Sequence, residues 1–95
     1  GMMPSFELIS HFQDDLRLMR RWQFEGVHYQ KTAEAWLGNM DANREAIDGI
    51  FRRTYGAEAV KFRNYWRIFF MACAELWGFR DGQEWTVSHY LLSKR

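Results

Sequence analysis

Between Ala57 and Trp77 the residues Phe62, Tyr65, Trp66, Phe69, Phe70, Cys73, Leu76 and Trp77 recur three and four apart, the spacing of one helix face. So wide an aromatic stripe needs cover from water, which makes this the core helix, and Gly78 is placed to stop it. After the Arg80-Asp81-Gly82 turn, Trp85, Val87, His89 and Leu91 alternate with Thr86, Ser88, Tyr90 and Leu92. Both sets are apolar enough for a strand covered on two faces. Together these elements restrict the fold to one that buries a broad helix face and asks for more sheet than 95 residues hold.

The rest of the chain supplies partners for them. Pro4-Ser5 is a helix entry, with the Ser5 hydroxyl as cap and Glu7 near the positive end of the dipole, and a short helix over 6–13 follows. Residues 16–24 then read as a strand, with Leu16, Leu18, Trp22 and Phe24 on one face and Arg17, Met19, Arg21 and Gln23 on the other; Arg20 interrupts the apolar side. Past Gly26, Tyr29, Ala33, Trp36, Leu37 and Met40 recur at helical spacing. Asp41 or Asn43 can cap a further helix, in which Ile47, Ile50, Phe51 and Thr54 share a face up to Gly56. These two helices are expected to form an antiparallel or kinked pair. The fold class is α+β: three to four helices packed on an antiparallel strand pair.

A chain of 95 residues is one small domain or a fragment of one, spanning 1–95, and buries only roughly 60% of its unfolded surface. With 47% hydrophobic and 18% aromatic residues it is nonetheless not a disordered segment. The 13 basic and 12 acidic residues are interspersed, so no field points to nucleic acid. No apolar run approaches the roughly 20 residues of a transmembrane segment, and the N-terminus does not read with the basic-then-apolar layout of a signal peptide. The single cysteine, Cys73, forms no internal disulfide and fits a cytoplasmic location. Gly1 ahead of Met2-Met3 reads as the scar of a removed tag.

Three blocks carry a family resemblance: His28-Tyr29-Gln30-Lys31-Thr32 with Trp36, then Phe69-Phe70-Met71-Ala72-Cys73-Ala74-Glu75-Leu76-Trp77, then the run from Glu84-Trp85-Thr86 to Leu92-Ser93-Lys94. In order and approximate spacing they resemble the C-terminal portion of the cyclopropane-fatty-acyl-phospholipid synthases and mycolic acid cyclopropane synthases, and Met3-Pro4-Ser5 resembles the segment that precedes it. The resemblance covers almost the whole chain and implies the C-terminal part of a class I methyltransferase fold. It also implies S-adenosylmethionine as methyl donor, a lipid acyl chain as acceptor, and a bound bicarbonate that takes a proton. Tyr29 matches the tyrosine whose hydroxyl helps hold that bicarbonate, a role suited to a phenol because it donates to an anion while uncharged. Phe69-Phe70-Met71-Ala72 and His89 depart from the residues that many family members carry.

Tyr29 is the one catalytic candidate that the resemblance assigns; the alternative is a helix-face tyrosine packed near Trp36. Cys73 and His28 do not take the family's other bicarbonate-holding roles, which belong to segments outside this sequence. Cofactor-binding residues are not assigned, because the glycines at 1, 26, 38, 49, 56, 78 and 82 form no Gly-x-Gly array after a strand. Nor is a metal site, since His11, His28 and His89 are scattered. Arg20-Arg21, Arg52-Arg53 and Arg63 with Arg67 could meet anionic headgroups, although a solvated face is the simpler reading.

Two functions follow. The first is a methyltransferase segment that lacks the cofactor-binding half and is inactive alone. The second is a free-standing module, derived from that fold, that binds a protein or an acyl chain through its aromatic face. In a fragment, an unpaired edge of the last strand implies a homodimer or a swapped oligomer.

Overall fold

The computed structural model describes residues 2–95; Gly1, read above as a tag scar, lies outside the described residues. The chain gathers into two compact units, one made of the segment up to Phe24 with Thr86–Arg95 and the other of Glu25–Trp85.

The first unit is a ribbon of β1 (Leu16–Glu25) and β2 (Thr86–Lys94), the two strands of its only sheet among the described residues. They run antiparallel: Arg95 N donates to Asp15 O (3.1 Å) at one end, while Gln23 Nε2 reaches Thr86 Oγ1 (3.5 Å) at the other. Arg20, which interrupts the apolar face of β1, lays its guanidinium 4.8 Å over the Trp22 ring and so covers part of it. The helix expected over 6–13 shrinks to a 3-10 turn, Leu8–His11. Ser5 contributes its carbonyl to Leu8 N (3.1 Å) rather than a side-chain cap. Gln13 explains the early stop, because its amide donates to Ser10 O (3.0 Å) and its Oε1 accepts from Leu18 N (2.8 Å), turning the chain into β1. Tyr90 ties the unit together by donating its hydroxyl to Phe6 O (3.0 Å). The two-sided cover expected for β2 is not formed here: Leu91 stays 52% exposed, since one neighbouring strand cannot supply two covering layers.

The second unit holds α1 (Val27–Ala42), α2 (Arg44–Tyr55) and α3 (Ala59–Gly78), with 3-10 turns at Gly56–Glu58 and Phe79–Gly82. Along α1 and α3 the contacts pair Tyr29 with Trp77, Trp36 with Phe70 and Asp41 with Arg67, so the helices are antiparallel. Ala33 and Ala74 fall between the first two of these levels and are buried, letting the helices approach closely. α2 meets the start of α3 through Asp48–Arg63 and through the Tyr55 and Phe62 rings, stacked at 4.0 Å. The break between α1 and α2 at Asn43 makes them a kinked pair. Neither expected cap forms: Asn43 Nδ2 turns back to Asn39 O (2.8 Å), and Asp41 binds Arg67. Gly56, at φ +57°, ends α2 as its position in the sequence suggests.

The largest departure concerns the core. Only Ala33, Met40, Ala59 and Ala74 make up the buried apolar set, and no large side chain is fully buried among the described residues. On α3, Phe62, Phe70, Cys73 and Trp77 are half-buried, whereas Tyr65, Trp66, Phe69 and Leu76 are exposed, Phe69 to 53%. The stripe is wider than the face that α1 and α2 can cover, so this helix is a core helix on one flank only.

Candidate functional site

Tyr29 lies in the first turn of α1, and three glycines set its surroundings. Gly26 N donates to Gly82 O (2.8 Å), joining the entry of α1 to the turn that follows α3. A Cβ on Gly26 would run into the Trp77 carbonyl oxygen and lie 2.6 Å from that of Trp85, while one on Gly82 would stand 2.5 Å from Val27 N. At Gly78 the added atom would meet the Gln30 side-chain amide. Backbone therefore touches backbone here, an approach that only glycine permits. The turn reaches this geometry through left-handed residues, Arg80 (φ 52°), Asp81 (φ 57°) and Gly82 (φ 79°). Arg80 is held outside it by Glu84, 3.3 Å from its guanidinium.

This junction seats the Tyr29 ring against the Trp77 indole, with centroids 5.0 Å apart and planes inclined by 35°. Tyr29 therefore packs on Trp77, while Trp36 packs on Phe70. The four tyrosines differ in what their hydroxyls do. Tyr90 donates to Phe6 O, Tyr55 accepts from Trp66 Nε1 (3.4 Å), and Tyr65 is exposed. Tyr29 alone is half-buried with no hydrogen bond to its hydroxyl among the described residues. A fixed ring carrying a free donor and acceptor is the arrangement expected of a ligand-facing phenol.

Farther along α1, Trp36, Met40, Ile47, Phe51, Trp66 and Phe70 line an open groove of about 470 Å³, with Asn39 and Asn43 also on its wall. A neighbouring depression of about 320 Å³ is walled by Tyr55, Phe62, Tyr65, Trp66 and Phe69. Both are within the range of small-molecule sites and nearly free of charge. The arginines gather elsewhere. Arg63 holds Asp48 through two bonds of 2.9 and 2.8 Å, and Arg67 holds Asp41 at 2.8 and 3.0 Å. The Arg67 hydrogen bond keeps the Asp41 carboxyl below its ordinary range. Arg21 pairs with Glu7 at 2.6 Å. Arg21, Arg63 and Arg67 thus serve carboxylates of their own chain.

His28 sits exposed in the first turn of α1, His89 packs its ring 4.8 Å from Phe24, and Cys73 is a free, half-buried thiol. Among the described residues no group of three His, Cys, Asp or Glu could hold a metal ion, and no helix is long and apolar enough to cross a membrane. The strand-to-helix turn at Gly26 commits its amide to Gly82 and leaves no room for a side chain above it. Sequence reasoning missed the glycine junction, although a glycine at the entry of one helix and others at the exit of its partner were the available signal.

No protein-family model matches the chain. Among curated proteins it is 39% identical over 95 residues to an (S)-coclaurine N-methyltransferase of Papaver somniferum, with 98% of this chain covered. It is 31% identical over 96 residues to a pavine N-methyltransferase of Thalictrum flavum subsp. glaucum, with 99% covered. The chain spans 27% of the length of each. Among solved structures it matches a coclaurine N-methyltransferase bound to N-methylheliamine and SAH, at a TM-score of 0.84 and 39% identity, covering 97% of this chain and 27% of that one. The α+β arrangement described above is therefore that of a C-terminal part of a methyltransferase, and the relatives that share it are N-methyltransferases.

Proposed function

We propose that this chain is the acceptor-side part of an S-adenosylmethionine-dependent methyltransferase that methylates the nitrogen of a ring-bearing amine. The observation that carries the reading is the 39% identity extending over 95 residues to a protein named for that chemistry. The methyl donor would be held by the remainder of such an enzyme, so the chain alone is expected to be inactive. The relatives' names favour a nitrogen acceptor over the lipid acyl chain that the cyclopropane synthase resemblance implies. The aromatic groove supports the same choice. Its Trp and Phe faces can take the flat body of a multi-ring amine and face its positive charge, while the two asparagines offer hydrogen bonds. The Tyr29 hydroxyl, which makes no hydrogen bond among the described residues, would hold an anion such as bicarbonate beside the acceptor.

The test is a chimera in which these 95 residues replace the matching segment of the Papaver somniferum enzyme. Methyl transfer to (S)-coclaurine is the expected result. A folded chimera that ignores the amine but methylates an unsaturated acyl chain returns the acceptor to lipid, and one inert toward both sinks the enzymatic reading in favour of an interaction module. In the isolated chain, β1 and β2 each keep one unpaired edge, which favours pairing with a second copy. Light scattering at micromolar concentration should then show a dimer or higher oligomer, and a well-folded monomer would exclude it.

A further inference from the structure

We infer that Trp77 is a positioning residue for the Tyr29 hydroxyl, holding the phenol ring at one setting while leaving its oxygen free. This rests on the proposed role of Tyr29 and adds the residue that aims it. Trp77 grips the entry of α1 twice. Its carbonyl oxygen lies against Gly26, so close that no Cβ fits there, and its indole covers the Tyr29 ring at 5.0 Å. Gly26 is in turn bonded to Gly82, and Gln30, the next residue after Tyr29, lies over Gly78. Tyr29 is therefore fixed from the backbone below and from the ring beside it, by one residue and its neighbours in the chain.

A phenol rotates about two side-chain torsions, and its hydroxyl sits at the far end of both. The backbone grip at Gly26 sets where the side chain starts, and the indole contact limits where the oxygen ends. A displacement of about 1 Å at a reacting group can cost on the order of a hundredfold in rate. Removing the indole should therefore lower turnover without changing how tightly the amine body is held, because the groove along α1 and α2 does not include Trp77.

The experiment is a double-mutant cycle in the complete chimeric enzyme, reading kcat and KM separately. Tyr29→Phe is expected to lower kcat by roughly tenfold or more, as the loss of a hydrogen bond to a charged group would. Trp77→Ala is expected to lower kcat about tenfold, with KM for the amine within about twofold, and to add little once Tyr29 is already Phe. Trp77→Phe, which retains a ring, should recover most of the loss. Trp77→Leu takes the place of Trp77→Ala if the latter does not fold. Losses that simply multiply in the double mutant, or a rise in KM at unchanged kcat, would overturn the positioning role while leaving that of Tyr29 intact. A silent Tyr29→Phe would overturn the role of the hydroxyl first, and the positioning role with it.

Discussion

At the Tyr29 end of the α1–α3 pair the chain packs through backbone, with Gly26 bonded to Gly82 and pressed on the carbonyl of Trp77. At the Trp36 end it packs through side chains, around an open groove where Trp36 remains 57% exposed. The same pair of helices thus forms a closed joint at one end and an unfinished one at the other. Backbone contacts are short and tolerate no added atom, so they fix geometry without needing much area. Aromatic side chains stabilise by the area they remove from water, and here that removal is incomplete. Rigidity at the Tyr29 end and available surface at the Trp36 end would suit the roles proposed above for the phenol and the groove.

The sharpest way to break the contrast is to add one methyl group at each end. Gly26→Ala forces a Cβ into the Trp77 carbonyl, which neither backbone can vacate, and should cost about 3 kcal/mol or more. Gly38→Ala, in the middle of α1 with nothing within 4 Å of the added atom, should instead stabilise by about 0.5–1 kcal/mol, because it replaces a flexible residue in a helix. Urea midpoints of the chimera check both. Similar effects from the two substitutions would show that the glycine junction is not tight.

Beyond the Trp36 end lies a test of charge rather than packing. The side chains of Arg63 and Asp48 are only 15% and 20% exposed and share two hydrogen bonds. Arg63→Ala should cost about 2 kcal/mol, more than an exposed pair and less than a fully buried one, since Arg44 remains 3.7 Å from Asp48 to soften the loss. A change in the urea midpoint indistinguishable from zero would show that α2 is held to α3 by its rings alone.

Periodicity made the element order legible, and the position of each α-helix and strand followed to within a few residues. What periodicity could not supply was the cover. Tyr65, Trp66 and Phe69 have helical spacing whether or not anything lies over them, so the pattern indicates which face wants burial and not which face obtains it. Gly26 and Gly78 read as helix punctuation, because a sequence shows where a glycine ends an element and not what approaches it in space. Tyr29 was reachable through the family resemblance, but its partner Trp77 lies 48 positions away, with only a generic apolar spacing to mark it. Asp41 and Asn43 were read as caps from local rules, and a long-range arginine and a backward turn to Asn39 outcompeted those rules.

The smallest expected effect concerns Asp41, which holds Arg67 near the end of α1. The hydrogen bond from Arg67 lowers the folded-state pKa of this carboxyl below its ordinary value of 3.8. A depressed carboxylate contributes stability above its unfolded pKa, about 3.9, and that contribution disappears as pH falls through the folded value. The same hydrogen bond shifts Arg67 upward, so it stays charged throughout and sets no slope in this range. The stability difference between the parent and Asp41→Asn should therefore be constant near neutral pH and shrink as the pH drops below about 4. Because the pair is exposed, the difference should also shrink with added salt, whereas the effect of Gly26→Ala should not. A difference that ignored both pH and salt would mean that α1 and α3 are held at this level by the shape of the contact and not by its charge.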